Sequence, residues 1–263
     1  MKYPIRSIIT APEGKVLLSC DLSQAEAWVV AYLADEKNMK RELAGGDIHT
    51  LSARIIFEDD TITKQQENQR YLGKKMNHSC NYRTGPFMIA TMINKESDKP
   101  PYVTVTIKQT KLYHARWTAF FNLSIWWGEI EDKLNRDRIL VTPYKRKRTF
   151  FQQWGSDLFK EATAFVPQST IADHLYGYVQ PEIGIEGGLL SIKRKILDKY
   201  PEVKLINSAH DSCLLEVPVG SIKDIAEQIK GHLTRPIMIN GETFTIPVDA
   251  KYGVRWEENM VKI

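Results

Sequence analysis

Short apolar runs that read as buried strands are few in this sequence, and long helical stretches separate them. Val16-Leu17-Leu18-Ser19-Cys20 is one such run; it follows the turn Pro12-Glu13-Gly14 and ends at Asp21. Two more flank His210-Asp211 within 205–217, and a closing strand spans 246–252. Between them lie helix signals. Ser23-x-x-Glu26 and Thr63-x-x-Gln66 are capping-box patterns, and Gly45-Gly46 ends a helical stretch after which Asp47 can cap another to about Phe57. The second box opens a polar helix over 64–82, broken by Thr84-Gly85-Pro86. The chain is mostly helical over 87–135, interrupted at Lys99-Pro100-Pro101; 139–151 reads as a turn or hairpin with a basic tip; and helices cover 156–178, 186–199 and 221–233. Strands this sparse, with helices between them, predict the α+β class.

Composition excludes several alternatives. Hydrophobic residues make up 43% and charged residues 26%, which suits a packed core and excludes a disordered tail, a collagen repeat or a disulfide scaffold. No run approaches the roughly 18 apolar residues of a membrane span. The three cysteines, Cys20, Cys80 and Cys213, are widely spaced with no CxxC pair, so neither a disulfide framework nor a zinc site is expected, and a reducing cytoplasm fits. The net charge of +4 is small, but 64–148 holds 17 Lys and Arg against 7 Asp and Glu. Such asymmetry suggests a polyanion on one face.

Two features carry chemistry. Asp21 ends an apolar strand and Asp211 sits at a tight turn between apolar strands. A carboxylate among buried neighbours is costly unless it is paired or binds a metal, although each could equally be a turn or capping Asp. If the two meet, they can hold two divalent cations and clamp an in-line phosphoryl transfer. The second feature is Arg70, Lys74, His78 and Tyr82, which recur every four residues. Each step drifts about 40°, so all four share a stripe about 120° wide on one helix face. Two cations, an imidazole and a phenol do not make a core stripe; they can grip a triphosphate and offer rings to a sugar and base, or form a solvated face.

These residues carry a resemblance. Asp21-Leu22-Ser23-Gln24-Ala25-Glu26 resembles motif A of family A DNA polymerases, Asp47-Ile48-His49 its DIH segment, and Arg70-x3-Lys74-x3-His78-x3-Tyr82 its motif B. Gln168-Ser169-Thr170-Ile171-Ala172-Asp173 resembles its QGTAAD stretch, and His210-Asp211-Ser212 its motif C. All occur in family order. The resemblance implies a right-hand polymerase in which 1–45 is palm, 46–135 fingers and 136–263 palm, with a small antiparallel palm sheet. It implies a DNA-directed DNA polymerase, a nucleotidyltransferase in DNA replication, that uses two Mg²⁺ ions (Mn²⁺ as a substitute). Asp21, Asp211 and the Leu22 carbonyl would be the ligands. Lys74 would be catalytic as a proton donor to pyrophosphate. Gln24, Glu26, His49, Arg70, Lys74, His78 and Tyr82 would meet the incoming dNTP, with Glu26 as the gate against a ribose 2′-hydroxyl. Gln168, His210, Arg83 and the tip Lys145, Arg146, Lys147, Arg148 would meet primer–template DNA.

The chain also departs from the family pattern. Ser212 replaces the usual Glu of motif C, His78 the usual Phe or Tyr, and Ser79 and Arg83 the usual Gly. Only about 20 residues precede Asp21 where the family has a thumb, an upstream palm segment and usually an exonuclease domain. The expectation is therefore a split or truncated polymerase, phage-like, soluble in the cytoplasm of a bacterial or phage-infected cell. A separate N-terminal polypeptide would supply the absent thumb and exonuclease domain, and without the upstream palm strands apolar sheet surface would be exposed. The alternatives are a catalytically inactive DNA-binding subunit and a single-subunit RNA polymerase relative, the latter disfavoured by Glu26.

Overall fold

The computed structural model describes residues 5–263. In chain order its elements are β1 (Lys15–Leu22), α1 (Ala25–Leu33), α2 (Lys37–Leu43), α3 (Ile48–Phe57), α4 (Glu67–Asn81), α5 (Pro86–Lys95), α6 (Ile107–Phe120) and α7 (Ser124–Arg136). There follow β2 (Ile139–Val141), β3 (Lys147–Thr149), α8 (Ser156–Tyr176), α9 (Gly188–Ile192), β4 (Lys204–Ala209), β5 (Ser212–Pro218), α10 (Ile222–Leu233), β6 (Pro236–Ile239), β7 (Glu242–Thr245), β8 (Val248–Gly253) and β9 (Val261–Lys262). This is the α+β arrangement expected, with two differences. The polar helix starts at Glu67, not 64, because the Gln66 carboxamide accepts from the Thr63 amide and hydroxyl (2.8 and 2.6 Å), closing a turn ahead of the helix. The hairpin β6–β7 was not foreseen; its turn is Asn240-Gly241, a pair suited to positive φ, and both residues take it.

The chain divides into two compact units: residues up to Ala25 with Pro143–Lys145 and Gln168–Ile263, and residues Glu26–Thr142 with Arg146–Pro167. The first holds an antiparallel sheet in the order β4-β5-β1-β8-β9. Alternation along β1 sends Val16, Leu18, Cys20 and Leu22 to one face, which packs on α10 through Ile225 and Ile229. Cys20 and Cys213 face each other in register on that buried side as free thiols. Leu17, Ser19 and Asp21 take the other face. There Leu17 and Leu214, each 1% exposed, lie under Trp256 with Ile9, Ala11 and Met260. The expectation of bare apolar sheet is thus corrected for this region, since the chain's own ends cover it. On the outer strand β4, Leu205 and Ile206 do stay exposed.

The second unit is helical apart from the hairpin β2–β3. Its α3 lies so close to α4 that a Cβ added at Gly73 would stand 2.2 Å from the His49 carbonyl oxygen and 2.6 Å from the Ala53 nitrogen. Glycine is therefore required there by close approach, and that approach brings His49 onto the helix that carries the stripe.

Candidate active site

The backbone segments that carry the two acidic residues of the first unit adjoin. β4 and β5 are joined by the two-residue turn His210-Asp211, and the Leu22 amide donates to the Asp211 carbonyl at 2.9 Å. The last residue of β1 is thereby tied to the turn, next to Asp21. Asp21 is exposed and Asp211 half-buried, so both oxygens-only side chains reach solvent. The turn is strained: His210 takes φ 50°, a region that side chains other than glycine rarely occupy. Gln24, just beyond β1, is left-handed too, at φ 56°. Ser212 donates its hydroxyl to the Ala209 carbonyl (3.0 Å) and so serves the turn.

Across the sheet Asp21 stands opposite Ser212 on β5 and Asp249 on β8. These residues line a cleft of about 460 Å³ together with Ser19, Lys251 and Arg6. Asp249 bonds Lys262 at 2.6 Å, which with Ser23 holds its carboxyl below the usual range despite partial burial. Sequence pattern had missed Asp249; its signal was only the in–out alternation of the closing strand. Gln168, on α8, and His210 are both exposed.

In the second unit Arg70, Lys74 and His78 lie on α4 as the spacing predicts, while Tyr82 follows its last residue and turns inward. Lys74 and His78 are exposed, Arg70 is half-buried and Tyr82 is buried. Arg70 is not free: its Nε and Nη2 reach Asp47 Oδ2 and Oδ1 at 2.6 and 3.3 Å. Asp47 also accepts from the Thr50 hydroxyl at 2.7 Å. The expected helix cap by Asp47 is therefore not made by its side chain, which turns to α4 instead. Burial would raise the Asp47 carboxyl, but these bonds outweigh it and hold it low. Burial pushes His49 down to about 4 against the pull of Asp47, so its ring is neutral, and His49 Nδ1 has no hydrogen-bond partner among the described residues. Glu26 Oε2 lies 2.8 Å from His78 Nδ1, and the His78 ring meets Tyr82 edge-on at 5.4 Å.

The remaining basic candidates are largely engaged. Arg83 ends α4 in the left-handed region at φ 58°, with Thr84 and Arg83 amides donating back to Ser79 and Cys80 carbonyls. Its guanidinium pairs with Glu131 and packs over Trp127 and Phe159. At the tip Lys145 pairs with Glu182 (2.5 Å) and Arg148 with Glu161, while Arg146 and Lys147 are exposed. Concavity alone does not find the site: a cleft of about 530 Å³ on α3 and α6, floored by Leu51, Ile55 and Phe120, holds none of the stripe.

The family model for DNA polymerase family A matches residues 1–258. The chain belongs to DNA polymerase family A. Among its relatives, DNA polymerase I of Lactococcus lactis subsp. cremoris is 23% identical over 97% of this chain and 27% of its own length. The thermostable DNA polymerase I of Thermus filiformis is 26% identical over 95% and 28%, and the DNA polymerase of Escherichia phage T5 23% over 95% and 31%. The chain thus spans between 27% and 31% of the length of these relatives. The solved polymerase domain of Pol1 from M. smegmatis, in complex with DNA primer-template and dNTP, superimposes with a TM-score of 0.74 at 18% identity, over 96% of this chain and 42% of that one.

For a family A polymerase the donor set fits Mg²⁺. Among the described residues no group of three or more His, Cys, Asp or Glu side chains gathers into a cage. Mg²⁺ needs none: it is usually held by one or two carboxylates plus waters and substrate phosphates. Asp21 and Asp211, hard oxygen donors at adjoining strand ends with solvent access, match that pattern.

Proposed function

We propose that this chain carries out template-directed DNA synthesis, adding dNTPs to a primer 3′-hydroxyl by two-metal nucleotidyl transfer. The observation that supports the reading is the Leu22 amide to Asp211 carbonyl bond, which ties the end of β1, next to Asp21, to the turn that carries Asp211 in a chain of this family. Asp21 and Asp211, with the Leu22 carbonyl, would hold the two ions. When bound, the ions would acidify the primer hydroxyl and neutralise the triphosphate. The hydroxyl oxygen forms a bond to the α-phosphorus as the bond to the bridging oxygen breaks and pyrophosphate leaves.

The chain's own residues then have distinct tasks. Lys74, exposed on α4, meets phosphate oxygens as a mobile point charge and can give a proton to the departing pyrophosphate. Arg70, clamped by Asp47, offers its remaining N–H groups in a fixed direction. His49, neutral at working pH, contributes a hydrogen bond and not a charge. Gln24 would likewise meet a phosphate of the incoming dNTP. Tyr82 gives a rigid edge beside the nascent pair, and Glu26 excludes the 2′-hydroxyl. Gln168, His210, Arg146 and Lys147 would contact primer–template, largely through backbone, as sequence-independent synthesis requires. Arg83, Lys145 and Arg148 contribute to DNA binding only if they exchange their carboxylate partners for phosphate. The thumb and exonuclease that the resemblance implies lie outside the matched region, on the same or a separate polypeptide.

Ser212 favours a second reading, an inactive DNA-binding subunit, because its hydroxyl serves the turn where the family has a carboxylate. Primer extension separates the two. Extension with dNTPs and Mg²⁺, lost in Asp21→Ala, supports synthesis; binding of primer–template with no extension supports the inert subunit.

A further inference from the structure

We infer that His78 is a positioning residue for the Glu26 carboxylate, so that sugar selection here depends on a carboxylate–imidazole pair and not on Glu26 alone. This rests on the polymerase reading above. Glu26 lies in the first turn of α1, and a glutamate has three rotatable bonds. A gate that crowds a 2′-hydroxyl works only if its carboxylate is held in one place. His78 Nδ1 stands 2.8 Å from Glu26 Oε2, within ion-pair distance though not aligned as a hydrogen bond, and a small turn of either side chain completes the hold. The ring is itself fixed: it projects from α4 one turn after Lys74 and meets the edge of Tyr82, which is 7% exposed. A phenylalanine at this place would have no polar atom to offer.

Nδ1 carries a proton in the imidazolium and in one neutral tautomer, so it can face a carboxylate oxygen in either form. His49 of α3 and Lys74 of α4 lie nearby, while Lys75 of α4 is turned away to Glu96 at the end of α5.

The experiment measures kcat/KM for dATP over ATP in single-nucleotide primer extension, using wild type, His78→Phe, His78→Asn, Glu26→Ala and the double variant Glu26→Ala/His78→Phe. Equilibrium binding of dATP and ATP to the same chains gives the ratio without turnover. His78→Phe should lower the preference for dATP by roughly two- to fivefold, the range of a half-exposed pair. His78→Asn, whose amide nitrogen takes the Nδ1 place, should restore it, which a merely structural role of the ring would not allow. In the Glu26→Ala background His78→Phe should change nothing further. A His78→Phe ratio equal to wild type, no recovery in His78→Asn, or additive effects in the double variant would overturn the inference while leaving the polymerase reading intact. Absence of dATP extension in wild type would instead refute the polymerase reading, and this inference with it.

Discussion

Removing Arg70 should destabilise the helical unit more than removing the charge of its partner, because the buried member of the pair is Asp47. The Asp47 side chain is 5% exposed and that of Arg70 is 34%. In Arg70→Ala a carboxylate is left buried with only the Thr50 hydroxyl donating to it. A stranded buried charge costs about 3–5 kcal/mol. Protonation caps that figure: binding a proton at pH 7 from an unfolded value near 3.9 costs about 1.4 kcal/mol per pH unit, or about 4 kcal/mol. In Asp47→Asn the amide oxygen can still accept from Thr50, and Arg70 can turn to water, so the loss is one charge-assisted hydrogen bond, about 1–2 kcal/mol. Urea unfolding at pH 7 followed by tryptophan fluorescence suits the measurement, since five of the six tryptophans lie in this unit. The sign with pH follows from the Asp47 carboxyl being shifted in opposite directions in the two proteins. In the wild type Arg70 and Thr50 hold Asp47 low, so its stabilisation stays full from pH 7 down to the ordinary carboxylate range. In Arg70→Ala the stranded carboxylate takes up a proton well above that range, so the Arg70→Ala penalty should shrink as pH falls from 7 toward 4. An Arg70→Ala cost no larger than that of Asp47→Asn, or one that does not change between pH 7 and 4, would refute the argument.

Other outcomes follow from single contacts. Gly73→Ala should cost about 1–3 kcal/mol in the same urea assay, because its Cβ collides with α3 backbone that cannot move alone. Since that backbone carries His49, nucleotide KM should rise as well; unchanged stability would show that the helices separate freely. His210→Gly relieves the positive φ at the motif C turn and should raise thermal stability by up to about 1 kcal/mol while lowering the extension rate, since the turn no longer holds Asp211. A variant both more stable and equally active would show that the strain has no function.

Much of this was legible in the sequence because the signals were local. The run Val16 to Cys20, the turn at His210-Asp211 and the four-residue recurrence on α4 each specify an element through its own neighbours. The partnerships were not legible. That Asp47 would turn from capping α3 to clamp Arg70 depends on how closely α3 lies on α4, which the lack of a side chain at Gly73 permits but does not announce. That Arg83, Lys145 and Arg148 would be met by Glu131, Glu182 and Glu161 depends on contacts far apart in the chain, so a basic run looked freer than it is. Asp249 was invisible because nothing in its local sequence says that its strand lies beside β1.

The central claim is that Asp21 and Asp211 form one metal-dependent centre for nucleotide addition. Its most direct test is Mg²⁺-dependent primer extension with dNTPs by the chain and by Asp21→Ala and Asp211→Ala, with circular dichroism to confirm folding. The account predicts extension by the wild type that either substitution reduces by at least about 10³-fold, as removal of a metal ligand from such a centre should. Extension by both folded variants at the wild-type rate would contradict it.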